Sequence, residues 1–245
     1  MDQNTKRFLG IAFGWSYLCF GIVIASRQPF SSLSIPMFAL FLLGCLGPLT
    51  GAVGVYLLDR RNLGGLGGMW QDTIQTENGW RGLLPALLFL LLHYGLAILL
   101  GVAGAFGPVK KLLVYLPMML VLFGTGEIGW RRIVQPGIEA VRGGFWRSSI
   151  ITGLLWSLWF LPMLFIPGFV IRSDFYMQFT AYLIGVGLLL TTLFQKSGLS
   201  GCILFSTLFF SLSAVVILRQ GNYLLAVVAV DLVIAMAYNS RVFRP

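Results

Sequence analysis

Apolar stretches of near twenty residues recur along the whole chain and leave little polar sequence between them. A helix needs about 20 mostly apolar residues to cross the hydrocarbon core of a bilayer. Charged residues make up only 10% of the chain, whereas a soluble domain carries about 25%. The sequence therefore predicts a single all-α, integral-membrane domain over residues 1–245, a polytopic transmembrane helical bundle of about eight spans. The predicted spans are 9–26, 36–58, 83–106, 110–128, 148–169, 175–194, 199–218 and 222–239.

The distribution of Lys and Arg predicts how this bundle is oriented, because basic residues collect on the cytoplasmic side of membrane proteins. With the N-terminus inside, 12 basic residues are cytoplasmic and 5 lie outside. We therefore expect both termini and the segment 129–147 to lie in the cytoplasm. No A-x-A cleavage site follows the first span, which we interpret as an uncleaved anchor. The cytoplasmic set is Lys6, Arg7, Arg60, Arg61, Arg81, Arg131, Arg132, Arg142, Arg147, Lys196, Arg241 and Arg244, and the outer set is Arg27, Lys110, Lys111, Arg172 and Arg219.

Several classes of site are excluded by residue type and spacing. Cys19, Cys45 and Cys202 lie inside apolar runs without paired spacing, which indicates buried thiols and neither a disulfide framework nor a zinc site. The net charge of +9 is spread along the chain, with no Lys/Arg run longer than two residues, so we expect no nucleic-acid partner. The polar segment 59–81 contains a glycine-rich stretch, 64–68, without the Lys-Ser/Thr of a phosphate-binding loop, which indicates a flexible or interfacial loop. We expect no metal and no other cofactor.

His93 and Asp231 are ionisable residues at predicted membrane depth. Such residues are costly in hydrocarbon and are candidate functional groups. His93 is the only histidine, and one imidazole does not make a zinc site, which takes three or four protein ligands. We interpret it as a hydrogen-bonded interhelical histidine, and we expect Asp231 to pair with a basic residue or a hydroxyl of another helix. A small-molecule or lipid transport role, with these two residues as its polar points, stays open.

Glu127 and Arg131 stand four residues apart, at the predicted cytoplasmic end of the fourth span. This spacing places both side chains on one helical face, with the acid N-terminal to the base, which is the favourable order for an ion pair. We expect a helix-end pair that is partly hydrated. An exposed pair of this kind contributes about 0.3–0.5 kcal/mol, and a buried one has larger consequences when it is broken.

Three short motifs occur in this order along the second half of the chain, at 126–136, 153–162 and 201–210. They resemble the motifs of the CPBP family, the type II CAAX-prenyl proteases and bacteriocin-processing or immunity proteins also called Abi. Members typically read Glu-Glu-x-Gly-Trp-Arg-Gly in the first motif, Trp-x-x-Trp-His-Leu-Pro in the second, and a His followed four residues later by Asn or Asp in the third. The resemblance is convincing over residues 115–215 and vaguer over 44–90. It implies a CPBP-like, type II CAAX-protease-like helical core, an intramembrane metalloprotease ancestry and a plasma-membrane location.

The side chains that would perform the family's chemistry are replaced in this chain. The first motif glutamate falls on Gly126, the two histidines on Phe160 and Ser206, and the Asn or Asp on Phe210. In the family these groups are thought to activate water, through a metal centre or a glutamate base, and to hold the oxyanion. Glycine and phenylalanine offer no proton acceptor and no ligand. The retained motif residues are Glu127, Gly129, Trp130, Arg131, Trp156, Trp159 and Pro162.

These departures predict a catalytically degenerate family member, a pseudoprotease that binds a membrane-protein or peptide partner in a regulatory, immunity or scaffolding role. The polar cavity of the ancestral site should then be smaller and more aromatic. An active intramembrane endopeptidase with a non-standard site is the alternative, because Ser206, Thr207 and Ser211 are hydroxyls that a base could activate. Otherwise these hydroxyls are expected to bond helix carbonyls or to bond across helices.

Overall fold

The structure is a computed structural model that describes residues 1–74 and 83–239. Helices account for most of it, and several begin with proline in their first turn, where the missing N–H is not needed. The helices are α1 (Gln3–Ala25), α2 (Ile35–Cys45), α3 (Gly47–Leu58), α4 (Arg60–Leu63), α5 (Gly65–Ile74), α6 (Leu84–Leu99), α7 (Leu112–Met119), α8 (Glu127–Gly129), α9 (Gln135–Arg142), α10 (Phe145–Phe160), α11 (Tyr176–Leu212) and α12 (Asn222–Asn239). Two short strands, β1 (Ala103–Phe106) and β2 (Val216–Leu218), complete the described part of the fold.

Four continuous helical stretches within residues 1–74 and 83–239 are long and apolar enough to cross a membrane. The bent pair α2 and α3, with 49° between its two helices, adds a fifth if it forms one span. The helical membrane bundle is thus confirmed, whereas the count of about eight spans is not, because α6 and α12 are shorter apolar helices. The four stretches are Gln3–Ala25, Val109–Val141, Phe145–Phe165 and Ser173–Leu212.

α11 consists of two helical arms joined at Gly198, where φ is 69° and ψ is −167°. Glycine adopts this conformation readily, whereas a side chain would strain it. The Cys202 thiol donates to the Leu190 carbonyl at 3.3 Å across 12 residues, which would be about 18 Å apart in one straight helix. The arms therefore fold back against each other, and they correspond to the separate predicted spans 175–194 and 199–218.

The predicted spans 83–106 and 199–218 extend beyond the helices that the structure contains. α6 ends at Leu99, and Gly101, with φ of 69°, turns the chain while the Val102 amide bonds the Ala97 carbonyl at 2.9 Å. The chain then forms β1, which pairs antiparallel with β2 beyond the end of α11. Both strands are apolar, and an apolar run of four residues does not by itself distinguish a strand from a helix end.

The helices pack as two groups joined around the long stretch Val109–Val141. α1 packs against α2 and α3, while α11 packs against α6, α7, α10 and α12. The Trp159 indole donates to the Ser16 hydroxyl at 2.7 Å, and Ser16 donates to the Gly44 carbonyl at 2.7 Å. These bonds join α10, α1 and α2. Such pairing is favoured inside a membrane because unpaired polar groups are costly there.

Two predicted loops are largely helical. Residues 60–63 and 65–74 of the predicted loop 59–81 form α4 and α5, while its residues 75–81 lie outside the described residues. The predicted cytoplasmic segment 129–147 continues the helix of the first motif through α9 and turns only at Gly143 and Gly144, both with positive φ. Three arginines used to predict the orientation, Arg81, Arg241 and Arg244, also lie outside the described residues.

Candidate functional site

The helix that carries the first motif widens on both sides of Glu127. Leu120–Gly124 and Trp130–Val134 are π-helical, with the short α8 and its preceding turn between them. The Thr125 amide bonds the Leu120 carbonyl at 2.9 Å, the five-residue spacing of a π-turn. Such widened turns are rare in proteins and are frequent at functional sites. The two turns bracket the motif that the resemblance singles out.

Glu127 is buried and accepts a hydrogen bond on each carboxylate oxygen. The Arg131 Nε donates to its Oε2 at 2.8 Å, and the Ser206 hydroxyl donates to its Oε1 at 2.7 Å. Glu127, Arg131 and Ser206 are each 1% exposed. The pair predicted from the i, i+4 spacing is present, but the partly hydrated helix end that we expected is wrong: α11 and the continuing helix cover it. Charge-assisted bonds of this kind are stronger than neutral ones.

The guanidinium of Arg131 extends this contact across three further helical segments. Its Nη1 lies 3.0 Å from Gln135 Oε1 and 3.5 Å from Thr191 Oγ1. Ser149 Oγ of α10 lies 2.9 Å from the same Thr191 hydroxyl. We call this set the buried polar network: Ser206, Glu127, Arg131, Gln135, Thr191 and Ser149, all at most 1% exposed.

The other hydroxyls considered as nucleophiles bond their own helix. The Thr207 hydroxyl donates to the Ile203 carbonyl at 2.7 Å, and the Ser211 hydroxyl donates to the Thr207 carbonyl at 2.7 Å. Back-bonding to the preceding turn is the usual state of hydroxyls in apolar helices. Ser206 differs from both, because its partner is a carboxylate 79 residues away.

Phe160 and Phe210, which stand at two of the replaced positions, meet on the ring of Phe123. The Phe123 and Phe210 centroids are 4.0 Å apart, and those of Phe123 and Phe160 are 6.2 Å apart with planes 7° from parallel. Trp156 closes the group at 6.1 Å from Phe160 and 6.0 Å from Phe210. We call these four residues the aromatic cluster. Aromatic rings at these separations pack favourably, and the cluster occupies the space between the second and third motifs.

Gly126 lies beside this cluster but faces a different helix. A β-carbon at position 126 would stand 3.1 Å from the Phe123 carbonyl oxygen and 3.3 Å from Pro48 of α3. The structure therefore brings Phe160 and Phe210 together, places Ser206 on Glu127 instead, and directs position 126 toward α3. Among the described contacts, Gly126 is linked to the other replaced positions through residues close to it in the sequence. Phe123 contacts Phe160 and Phe210, and Glu127 contacts Ser206.

The retained motif residues Gly129, Trp130 and Pro162 pack or shape the frame. A β-carbon at Gly129 would collide with the ring of Phe8 of α1, and Trp130 packs edge-on against the same ring at 5.2 Å. Pro162 stands in the first turn of the 3₁₀ segment Leu161–Phe165 that follows α10. Together with the Trp159–Ser16 bond, these contacts hold α1 against the motif helices. Gly129 is thus needed for the close approach of α1, whatever the chemistry nearby.

His93 and Asp231 form a second buried polar site, 0% exposed, where α6, α11 and α12 meet. His93 Nδ1 lies 2.8 Å from Asp231 Oδ1, and its Nε2 lies 3.1 Å from the Tyr182 hydroxyl. In the described part of the chain, His93 has no hydrogen bond to Ser206, and Asp231 Oδ2 has no hydrogen-bond partner. The sequence singled out His93 and Asp231 separately. It gave no signal for Tyr182, which is one of several aromatic residues in an apolar run.

The residues at the family's catalytic positions do not fit a metal centre. Gly126, Phe160 and Phe210 carry no donor atom, and both oxygens of Glu127 are engaged by Arg131 and Ser206. Over residues 1–74 and 83–239 no group of three His, Cys, Asp or Glu side chains is arranged to hold a metal ion. A catalytic zinc takes three protein ligands and an open position, which this donor set does not supply.

Comparison with known proteins bears on the motif-carrying part of the chain. No match was found among the curated proteins. Residues 108–210 match the family model described as type II CAAX prenyl endopeptidase Rce1-like. This range contains all three motifs, and it leaves the vaguer resemblance over 44–90 outside the match. The match confirms the family resemblance over residues 108–210, where this multi-pass membrane protein is similar to the Rce1-like type II CAAX prenyl endopeptidase family.

Proposed function

We propose that this protein is a catalytically inactive member of its family, a pseudoprotease of the plasma membrane that binds a membrane-protein or peptide partner. Its role would be regulatory, immunity-related or scaffolding. One observation carries the proposal: the packing frame of the motifs is kept, while Gly126, Phe160 and Phe210 stand where the reacting groups would be. Motif residues that keep their packing contacts without the reacting groups fit a protein that binds a partner and does not hydrolyse it.

The missing groups account for most of the rate that such a site could supply. A positioned general base contributes about 10²–10⁴-fold to a hydrolytic rate, and one oxyanion donor contributes about 10²–10³-fold. Glycine and phenylalanine provide neither. The aromatic cluster also packs rings against one another at two of the replaced positions, Phe160 and Phe210.

A stripe of apolar side chains on α10 supports a partner within the membrane. Trp146, Ile150, Leu154 and Leu158 recur every four residues and are 40–44% exposed, so they form one face of the helix. The buried side of the same helix carries Trp156 and Phe160 of the aromatic cluster. A helical segment packed on this face would lie against the helix that carries the second motif, in the manner of helix association in bilayers.

The alternative, an active endopeptidase with a non-standard site, is favoured by one contact. Ser206 Oγ lies 2.7 Å from Glu127 Oε1, so a hydroxyl and a carboxylate base are within reach of each other. Three facts weigh against it: Ser206 is 1% exposed, Arg131 occupies the other oxygen of Glu127, and His93 is engaged by Asp231 and Tyr182. A nucleophile in this setting lacks both access and a free base.

Hydrolysis by the purified full chain in detergent tests the first half of the proposal. The probes are a fluorogenic farnesylated CAAX peptide and a fluorogenic unprenylated peptide, with an active family protease as positive control. We expect no turnover above the protein-free blank. Turnover that Glu127→Gln or Ser206→Ala abolishes, while thermal unfolding shows that the variant remains folded, would establish the alternative and overturn the proposal.

Photo-crosslinking in native membranes tests the second half. A photoreactive phenylalanine replaces Leu154 or Leu158 of the stripe, and Leu18 on the exposed side of α1, 65% exposed, provides the matched control. We expect a discrete protein adduct from positions 154 and 158 that position 18 does not give. Lipid adducts alone, equal at all three positions, would contradict a partner on this face and leave the result on hydrolysis unaffected.

A further inference from the structure

α5 is a short helix attached to the end of the membrane-spanning part of the molecule. It follows α3, from which it is separated only by the single turn of α4 and by Gly64 in the left-handed conformation, φ of 74°. The 10 residues described for it extend about 15 Å, half of the roughly 30 Å needed to cross the hydrocarbon core. Over these residues α5 is too short to span a bilayer.

One side of α5 is apolar and uncovered. Leu66, Trp70 and Ile74 stand four residues apart and are 51%, 64% and 56% exposed. This spacing aligns them along one face of the helix, and Gln71 beside them is also exposed. Tryptophan is enriched where a protein meets the boundary between headgroups and acyl chains. A short amphipathic helix with such a face is typical of an interfacial segment.

The other side of α5 is fastened to the bundle by Asp72. The Tyr56 hydroxyl of α3 donates to Asp72 Oδ2 at 2.6 Å, and Arg132 Nη2 donates to Asp72 Oδ1 at 2.7 Å. Arg132 directly follows Arg131 of the buried polar network. These bonds fix the rotation of α5 about its axis, so that its apolar face is directed away from the bundle.

Arg60 and Arg61 of α4 supply positive charge next to this apolar face. Both are exposed, and they line a surface cleft of about 630 Å³ together with Leu58, Asp59 and Asn62. The oxygens of Asp59 accept the side-chain amides of Asn4 and Asn62, each at 2.7 Å. Among the residues that the structure describes, no carboxylate lies within ion-pair distance of either arginine. Two cations beside an apolar face complement the surface of a bilayer, in which anionic headgroups lie next to apolar acyl chains.

We propose that α5 lies in the plane of the bilayer surface, with Leu66, Trp70 and Ile74 in the acyl boundary, and that Arg60 and Arg61 bind the phosphate of an anionic phospholipid. The occupant is the lipid surface and not a soluble partner, because the exposed apolar face and the two arginines directly follow α3, which ends a candidate membrane-spanning pair of helices. This site is independent of whether the chain hydrolyses peptides.

Spin-label accessibility tests the position of α5. Nitroxides are attached to cysteines at 66, 70 and 74, and at 71 as the matched control, in the full chain in lipid nanodiscs; the native Cys19, Cys45 and Cys202 are at most 5% exposed. We expect positions 66, 70 and 74 to be accessible to oxygen and position 71 to a water-soluble nickel chelate. Equal nickel accessibility at 70 and 71, or shielding of 70 from both reagents, would overturn the proposal.

Native mass spectrometry with phosphatidylglycerol and phosphatidylcholine tests the arginines. Each arginine near an anionic surface contributes about fivefold to affinity, so Arg60→Gln/Arg61→Gln should weaken phosphatidylglycerol binding by about 30-fold. Lys110→Gln/Lys111→Gln removes the same charge at the start of the helical stretch Val109–Val141, at the predicted outer end of the bundle, and should change phosphatidylglycerol binding little. Equal losses in both variants, no preference for phosphatidylglycerol, or displacement of the lipid by millimolar inorganic phosphate would each contradict a lipid site.

Discussion

Glu127 accepts one hydrogen bond from a charged guanidinium and one from a neutral hydroxyl, and loss of the two bonds would affect stability differently. Arg131 balances its charge, whereas Ser206 adds one hydrogen bond from a neutral hydroxyl. A buried ion pair contributes little net stability because desolvation offsets the attraction, but removal of one partner strands the other charge. Glu127 is therefore better described as Arg131's structural partner than as a base.

Replacement of Arg131 by leucine should destabilise the protein by about 3–5 kcal/mol, because it leaves a buried carboxylate without its cation. Glu127→Gln/Arg131→Met should recover most of that loss, since it removes both charges. Detergent-induced unfolding of the purified chain provides the measurement.

Arg132→Leu is the matched control for this prediction. Arg132 is the next residue, but its pair with Asp72 is half-exposed, with the arginine 47% accessible, so its loss should cost about 0–1 kcal/mol. Equal losses of stability in Arg131→Leu and Arg132→Leu would mean that Glu127 reaches water, and that its burial does not determine the cost of losing its partner.

Sequence reasoning at this scale found local pairs and missed distant ones. The Glu127–Arg131 pair follows from a spacing of four residues, so it could be predicted. Ser206 could not be assigned to Glu127, because the bond between them spans 79 residues and depends on how the arms of α11 fold back. The burial of the pair was missed for the same reason, since only the folded chain shows what covers a helix end.

His93 forms side-chain hydrogen bonds to two other helices, and the neighbouring Tyr94 hydroxyl adds a bond from α6 to the Phe209 carbonyl of α11 at 2.7 Å. His93 reaches Asp231 of α12 and Tyr182 of α11 from its position in α6, while its ring packs against Phe209 at 5.3 Å. α6 and α12 are the shorter apolar helices of the bundle. Because α6 and α12 are short, side-chain hydrogen bonds contribute more to their packing against α11 than they would for longer helices.

His93→Leu should cost about 3 kcal/mol or more, because Asp231 would then be buried without any partner. Tyr182→Phe removes one neutral hydrogen bond and should cost about 1 kcal/mol, and Asp231→Asn, which can still accept from His93, should fall between them. Thermal unfolding in one detergent compares the three. If His93→Leu is no more harmful than Tyr182→Phe, the His93–Asp231 pair does not hold α6 to α12.

Element boundaries were predicted well where apolar runs end in polar residues and poorly where they do not. The end of α3 before Asp59 could be predicted from its charge. The change from α6 to β1 could not, because residues 96–106 stay apolar while the backbone turns at Gly101. The helices α4 and α5 were missed because four of the five residues 64–68 are glycines, which disfavour helix. In the folded chain, the hydrogen bonds of Asp72 to its partners hold this segment in place.

At the scale of the whole molecule, the connecting segments gather at two ends. Asn4 bonds Asp59 at one end, where Asp72 also bonds Arg132. At the other end, the Phe30 amide bonds the Pro167 carbonyl at 2.7 Å, and β1 pairs with β2. In the described residues, these contacts join segments that were predicted to lie on the same side of the bundle.

Single cysteines at exposed positions test this topology in intact cells. With both termini cytoplasmic, a membrane-impermeant maleimide should label positions 29, 105, 170 and 219 from outside and should reach 71 and 146 only after permeabilisation. Labelling of 105 and 219 from the cytoplasmic side would mean that α6 and α12 do not cross the bilayer, and labelling of 29 from that side would reverse the orientation.

The long separation between Glu127 and Ser206 has a consequence for biosynthesis. The ribosome adds about 5–20 residues per second, so the 79 residues between them take about 4–16 seconds to emerge. During that interval the first-motif helix has to enter the bilayer without the serine that will complete its site. Because Arg131 lies on the same helix, Glu127 already has its own counter-charge when it leaves the translocon, and the Glu127–Arg131 pair carries no net charge while it remains in the membrane without Ser206.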